Sequence, residues 1–186
     1  MKVKGTLLQI AQLGDPILRK KAKVVGNVSE PLIQQLIDDL IATVNDVDGV
    51  GISAPQVYQS IRLFILASHP SPRYPNAPVM KPTAIINPRI TSLSKDLARD
   101  WEGCLSIPGI RAMIPRSAKV SVEYTTRQGK KIKKDFQDFI ARIFQHEFDH
   151  LEGLVFLDRL ESPKDVVTEK EYQKLIKKKV KNEKRN

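Results

Sequence analysis

A chain of 186 residues with 41% hydrophobic residues is long enough for one domain with a full core, and its formal net charge of +10 suggests an anionic partner. No apolar run approaches the roughly 20 residues that cross a bilayer, and the N-terminus lacks the apolar segment of a signal peptide. We therefore expect an unprocessed, cytoplasmic protein without a membrane partner. The single cysteine, Cys104, excludes an internal disulfide.

The first predicted elements are two helices. Asp15, which is followed by a proline, has the pattern of an N-cap and predicts a short helix through Lys21. Ser29 is predicted to cap a longer amphipathic helix, because apolar residues recur at intervals of three and four from Leu32 to Val44.

Short runs in the middle of the chain have the composition of strands. They occupy residues 62–67, 84–87, 120–126 and 131–136. The turn residues Gln128-Gly129 join the last two runs into a predicted hairpin. Residues 68–82 contain five prolines and predict an irregular loop.

A further helix is predicted from a cap at Asp138 to a stop at Gly153. Apolar residues on more than one of its sides indicate a central, buried helix, and a last helix should follow Ser162. Because strands and helices are mixed without βαβ alternation, the sequence predicts an α+β fold. We expect mixed or antiparallel sheets packed around the central helix, with a helix at the C-terminus.

The central helix carries the most informative motif, His146-Glu147-Phe148-Asp149-His150. Residues four apart share one face of a helix, so both imidazoles can bind one metal ion. Glu147 lies one step round the helix, within reach of a water molecule at that metal. Two neutral nitrogen ligands and a general base are the minimum for metal-assisted hydrolysis.

A catalytic metal site of this kind needs a third protein ligand and keeps a fourth position for water. Candidates are Cys104, Asp149, Glu152 and the other acidic residues. Cys104 is the strongest, because Gly103 lets the backbone approach a ligand closely and a metal would hold the thiol as a thiolate.

Three motifs in this chain resemble those of peptide deformylases, in particular the type 1 class of bacteria and plastids. They are Gly49-Val50-Gly51-Ile52-Ser53-Ala54-Pro55-Gln56, Glu102-Gly103-Cys104-Leu105-Ser106 and the two-histidine motif. They occur in the family's order, and the likeness runs from about residue 10 to residue 160. Ser53 departs from the family's usual alanine, which adds a hydroxyl beside the cleft without an expected part in the chemistry.

The resemblance implies a function and a role for each matched residue. The function is removal of the N-formyl group from the N-terminal methionine of nascent polypeptides, with release of formate. The implied metal ligands are Cys104, His146 and His150. The implied catalytic residues are Glu147 as general base and then acid, with Gln56 and the backbone N–H of Leu105 as oxyanion donors. The implied substrate-binding residues are Gly49, Val50, Gly51, Glu102, Gly103, Arg111, Phe139 and Ile143.

The identity of the metal is where the residues and the resemblance differ. One thiolate and two imidazoles with an open position indicate zinc first. The resemblance implies Fe²⁺, with Ni²⁺, Co²⁺ or Zn²⁺ also able to occupy the site. These ligands do not separate the ions strongly.

Several residues near the motifs keep two interpretations. Asp149 either orients a ligand histidine or another group beside the ligands, or forms a surface or buried ion pair. Arg116 either pairs with a carboxylate that shapes the site or lies on the surface. Trp101 is expected to be core or cleft wall.

The C-terminal segment is strongly basic, with eight basic and two acidic residues between Lys170 and Asn186. Such runs are usually solvated and disordered, but this one could also attach the enzyme to ribosomal RNA near the nascent chain. We expect residues 1–162 to form a single catalytic metallohydrolase domain. Residues 163–186 should add a C-terminal helix and basic tail to the same domain, and DNA is not an expected partner.

Two rival functions fit parts of this pattern. A zinc endopeptidase shares the helix motif, but such proteases generally take a third histidine or a carboxylate where this chain offers Cys104. A basic RNA- or ribosome-binding protein with a structural metal fits the charge, but the sequence contains no recognisable RNA-binding motif.

Overall fold

The computed structural model describes residues 5–71, 74 and 76–183, with the backbone alone for residues 179–183. The helices are α1 (Pro31–Asp46), α2 (Asp138–Leu151) and α3 (Glu169–Glu183). The strands are β1 (Gly51–Ser53), β2 (Leu63–Ser68), β3 (Met80–Leu93), β4 (Leu97–Cys104), β5 (Ile107–Ser117), β6 (Lys119–Thr125), β7 (Lys131–Gln137) and β8 (Val166–Thr168). Within these ranges, the structure contains no helix long and apolar enough to cross a membrane.

The strands form two antiparallel sheets. One has the order β1-β2-β3-β6-β7, and the other has the order β4-β5-β8. The predicted hairpin is present, because β6 pairs with β7 from Lys119 opposite Gln137 to Thr125 opposite Lys131. Together with the helices these sheets confirm the predicted α+β fold.

Helix α2 lies at the centre of the molecule, as predicted. Ten of its 14 residues are buried. Ala141, Phe144 and Leu151 pack with strand residues such as Phe64 and Val122 in the core of the larger sheet. The helix also contacts β5 of the smaller sheet. Each large apolar side chain buried in this way contributes about 1.5–3 kcal/mol of transfer free energy.

Two predicted helix caps are wrong. Helix α1 begins at Pro31, and its N-cap is Glu30 rather than Ser29, because a proline at the first helical position starts the helix without a side-chain cap. Helix α2 has Gln137 as its N-cap, and Asp138 is instead its first residue, with a φ of 50°. Asp15 does cap a short 3₁₀-helix, since its side chain accepts a hydrogen bond from the Ile17 backbone N–H.

The strands that carry the middle motif were not predicted. The first four residues of β4 are exposed, and two of them, Arg99 and Asp100, are charged. Strand β5 contains Pro108, Gly109 and Pro115. Neither strand therefore has the apolar alternation that predicts a strand. They pair with each other from Leu97 opposite Ser117 to Cys104 opposite Ile107, with an irregularity between Glu102 and Cys104. This pairing brings the thiol to α2.

Candidate active site

Helix α2 supplies two of the three candidate metal ligands. His146 and His150 lie one turn apart with ring centres separated by 5.2 Å, as their spacing predicts. Cys104 is the last residue of β4, and its Sγ lies 3.3 Å from Nε2 of His150. The ligand atoms of these three residues all lie within 4.8 Å of one another. The structure therefore brings together the thiol and the imidazoles that the sequence singled out.

The three side chains fit a metal ion. Burial lowers the pKa of His150 well below its usual range, which favours the neutral imidazole that binds metals, whereas, against the effect of burial, contacts with Cys104 and Glu102 raise the pKa of His146 above its usual range. His146 directs Nδ1 at a carboxylate oxygen of Glu102, which leaves Nε2 as its ligand atom. A thiol and two imidazoles converging on one point are the donor set of a Cys/His₂ metal site.

Glu102 lies at the centre of a buried charged network. Its carboxylate accepts two hydrogen bonds of 2.9 Å from Arg116 and one of 2.8 Å from Arg142. Its second oxygen lies 2.9 Å from Nδ1 of His146. Burial alone would raise the pKa of Glu102, but the charge of Arg116 and the contact with His146 hold it well below its usual range. Glu102 borders the cavity as predicted, yet its charged oxygens face these cations.

Asp149 belongs to the same network as an ion pair. It accepts hydrogen bonds from Arg116 and, at 2.6 Å, from Nη2 of Arg159. Asp149 therefore forms a buried ion pair, and it makes no direct hydrogen bond to a candidate ligand histidine among the described residues. Arg116 is buried between the Asp149 and Glu102 carboxylates, so it shapes the site and does not lie on the surface.

Glu147 faces the cavity from the other side of the site. Its side chain is buried, and Oε2 has no hydrogen-bond partner among the described residues. Burial raises the pKa of Glu147 to about 7. A Cβ placed on Gly51 would lie 2.5 Å from Oε1 of Glu147, so only glycine leaves room for this carboxylate.

Gln56 is held in one orientation by its neighbours. Oε1 accepts hydrogen bonds from the backbone N–H of Ser53 at 2.9 Å and from its hydroxyl at 3.0 Å. Nε2 then points to Ser106 Oγ at 3.2 Å and to Cys104 Sγ at 3.4 Å. The Ser53 hydroxyl therefore contacts a candidate catalytic residue, and the backbone N–H of Ser53, which can only donate, fixes which end of the Gln56 amide faces the thiol.

These residues surround one open cavity of about 360 Å³. Its lining includes nearly all the residues predicted for the site, namely Gly49, Val50, Gly51, Gln56, Glu102, Gly103, Cys104, Leu105, Arg111, Phe139, Ile143, His146 and Glu147. His150 lies behind them, fully buried. Trp101 lines the cavity as well, in agreement with its interpretation as cleft wall.

Seven of the described residues that line the cavity were not indicated by the sequence, and three of them have polar side chains. Tyr74 comes from the proline-rich loop and packs against Phe139 with ring centres 4.9 Å apart. Arg142 lies on α2 and donates a hydrogen bond to Glu102, and Glu169 lies on α3 and lines the cavity. A buried arginine one turn before His146 is the one signal that could have been used, because a buried charge needs a partner.

Comparisons with known proteins match this chain to one family. Residues 7–166 match the family described as polypeptide deformylase. Over 175 residues the chain is 58% identical to Peptide deformylase 2 from Nostoc sp., which covers 94% of this chain and 98% of that protein. The Met-Ala-Ser-bound class I type b peptide deformylase from Acinetobacter baumannii superposes with a TM-score of 0.82 at 42% identity, covering 86% of this chain and 100% of that one.

A second solved structure gives the same result from a more distant relative. The peptide deformylase from Synechococcus elongatus in complex with actinonin has a TM-score of 0.76 at 32% identity, covering 89% of this chain and 87% of that one. The chain therefore belongs to the polypeptide deformylase family.

Proposed function

We propose that this deformylase removes the formyl group from N-formylmethionyl peptides with Cys104, His146 and His150 as the ligands of a divalent metal and Glu147 as its general base. The observation that carries the proposal is the cluster of three ligand atoms within 4.8 Å, beside a buried carboxylate oxygen that has no partner among the described residues. When bound, the metal lowers the pKa of a water molecule and polarises the formyl carbonyl.

Glu147 moves the proton in this proposal. Its Oε2 takes a proton from the attacking water, and the oxygen of that water forms a bond to the formyl carbon. Glu147 then passes the proton to the leaving amine as the C–N bond breaks. The products are formate and a peptide with a free N-terminus. Gly51 supports this role because it lets the carboxylate reach the cavity without a steric clash.

Gln56 and the backbone N–H of Leu105 are proposed to stabilise the developing negative charge on the formyl oxygen. The Ser53 contacts aim Nε2 of Gln56 towards the cavity side of Cys104, where a donor to that oxygen is needed. Loss of one such donor typically costs about 10²–10³ in turnover.

The remaining predicted residues are proposed to bind the peptide. Gly51 lies in β1, an edge strand of the larger sheet, so its backbone is available to pair with a substrate in extended conformation. The pocket for the methionine side chain would be lined by Val50, Arg111, Phe139 and Ile143, with Gly49 and Gly103 as further substrate-binding residues. Glu102 is better suited to orienting His146, because its oxygens already bind Arg116, Arg142 and His146.

Fe²⁺ is the proposed metal, with Ni²⁺, Co²⁺ or Zn²⁺ as possible occupants. Family resemblance supports iron, whereas the thiolate and imidazole ligands alone suit several of these ions. Anaerobic purification with metal quantitation would identify the ion, and a metal-to-protein ratio near zero in active protein would contradict a metal-dependent reaction.

Formate release from formyl-Met-Ala is the direct test of the function. We expect the wild-type protein to release formate, and to leave the internal amide of an unblocked peptide intact. Cleavage of that internal amide would favour the endopeptidase alternative. Formate release that persists in Glu147→Gln with the metal retained would contradict the role of Glu147.

A second proposal concerns the basic C-terminal segment. Lys170, Lys174, Lys177 and Lys178 all lie on α3 with exposed side chains, which suits electrostatic attachment to ribosomal RNA in the cytoplasm. We also propose that residues 163–186 belong to the same domain as the catalytic residues 1–162. β8 supports this single-domain arrangement by pairing with β5.

Ribosome association can be tested without removing α3. Replacing Lys177 and Lys178 by Gln should weaken co-sedimentation with ribosomes and reduce its salt dependence. The same double change at Lys130 and Lys131, two exposed residues of the β6–β7 hairpin, is the control of equal charge. Equal effects of both double changes, or none of either, would contradict a specific role for α3.

A further inference from the structure

The outer wall of the cavity includes a segment that the family match does not reach. The match ends at residue 166, whereas Glu169 lines the cavity from the first turn of α3. The short strand β8 directly precedes α3 and pairs with β5, with Val167 opposite Arg111. This pairing fixes the beginning of α3 beside the cavity.

Arg111 is the cavity residue that α3 holds most directly. Its side chain is 7% exposed, and its Nε donates a hydrogen bond of 2.6 Å to Glu169. The guanidinium carbon lies 5.2 Å from the ring centre of Tyr172. From the opposite side, Nη1 donates to the hydroxyl of Tyr74 at 3.3 Å. The position of Arg111 in the wall therefore depends on contacts from α3.

Tyr172 also supports a second part of the wall. Its ring meets Trp101 edge to face with ring centres 5.5 Å apart, and it is 6% exposed. Since Trp101 and Arg111 both line the cavity, one buried ring of α3 holds two neighbouring wall residues in place.

The same wall borders the backbone that leads to the thiol ligand. A Cβ on Gly103 would lie 2.5 Å from Nη1 of Arg111, so the guanidinium packs directly against this glycine. Glu147 is buried at the inner end of the cavity, whereas the side chain of Glu169 is 37% exposed at its mouth. A substrate with its formyl carbon at Glu147 would extend its peptide portion past this wall.

We infer that the first turn of α3 is part of the substrate-binding site, with Glu169 and Tyr172 as positioning residues for Arg111 and Trp101. This inference rests on the proposed deformylase function. The positioned wall sets the affinity for the peptide that follows the formylmethionine, whereas the rate of formyl hydrolysis is set by Glu147 and its neighbours.

The test compares Tyr172→Ala with Tyr172→Phe, which keeps the ring, and with Leu175→Ala, a half-exposed position on the same helix. Formate release from formyl-Met-Ala-Ser gives KM and kcat, and calorimetry gives the Kd of the product Met-Ala-Ser. We expect Tyr172→Ala to raise KM and Kd roughly three- to tenfold, the effect of losing one ordinary contact, with kcat nearly unchanged. Tyr172→Phe and Leu175→Ala should behave like the wild type.

Unchanged KM and Kd in a folded Tyr172→Ala protein would overturn the inference, as would a fall in kcat alone. If Tyr172→Ala does not fold, Glu169→Gln takes its place, since it removes the charge that pairs with Arg111 and should raise KM and Kd in the same direction. A wild-type protein that releases no formate would contradict the proposed function instead, and the Met-Ala-Ser arm would still decide the role of α3.

Discussion

Two regions of the site shift the pKa of a buried glutamate in opposite directions. In the charged network, Glu102 binds Arg116, Arg142 and His146, and its pKa is held low. At the cavity, Glu147 keeps an oxygen without a partner among the described residues, and burial raises its pKa to about 7. A buried carboxylate surrounded by cations keeps its charge and its position, whereas one with fewer partners remains able to exchange a proton.

Of the changes considered, Glu147→Gln should lower the activity most. The amide cannot accept the proton of water, so formate release should fall by about 10²–10⁴. Metal content and the thermal midpoint should stay close to those of the wild type. Steady-state kinetics with metal quantitation would check this, and a loss of less than tenfold would contradict the contrast between the two carboxylates.

Glu102→Gln should disrupt the buried charged network and lower both the stability of the protein and its affinity for the metal. Removing the charge leaves Arg116, Arg142 and His146 short of a buried partner, which typically costs about 3–5 kcal/mol of unfolding free energy. Metal affinity should fall by about 10–100-fold, because His146 is no longer oriented. Denaturant unfolding and chelator competition measure these two quantities.

The matched control is Glu123→Gln. Glu123 also pairs with two cations, Arg89 and Lys133, but on the surface of the larger sheet. The Glu123→Gln substitution should leave the unfolding midpoint and the metal affinity nearly unchanged. Equal losses in the Glu102 and Glu123 variants would mean that burial of the network does not matter.

Gly51→Ala should displace the Glu147 carboxylate while leaving the side chain itself unchanged. The added Cβ would lie 2.5 Å from Oε1, so the carboxylate must shift, and activity should fall by about 10–100-fold. Gly26→Ala is the control, since its added Cβ meets nothing within 4 Å. A Gly51→Ala enzyme with the kcat of Gly26→Ala would show that the position of Glu147 is not critical.

Ser53→Ala should have the smallest effect of the four. It removes the hydroxyl donor to Gln56 but keeps the backbone N–H, so kcat should fall by about two- to tenfold at constant KM. Ser53→Thr keeps a hydroxyl and tests for rescue. If both variants lower kcat equally, packing rather than the hydrogen bond explains the effect.

The parts of the site that could be predicted from the sequence are those that depend on the spacing of residues within one helix. The four-residue spacing of His146 and His150 predicts a shared helix face, and apolar residues around them predict the burial of α2. Cys104 was linked to them by ligand chemistry and by resemblance, since no local pattern connects β4 to α2.

The parts that could not be predicted depend on contacts between distant segments. Glu102 meets Arg116 and Arg142 only because β4, β5 and α2 pack together. The sequence suggested a carboxylate partner for Arg116, but it could not identify that partner as Glu102. The same holds for Tyr74, which reaches Arg111 from a loop whose prolines predict only irregularity. Strands β4 and β5 were missed because charged residues, prolines and a glycine replace the alternation of an ordinary strand.

The carboxylate of Glu102 joins three elements, since it lies on β4 and binds Arg116 from β5 and both Arg142 and His146 from α2. The imidazole of His146 is consequently oriented only after the smaller sheet has docked onto the central helix. Capture of the ion should therefore come late in folding, so that tight metal binding reports a correctly assembled chain and partly folded copies remain metal-free.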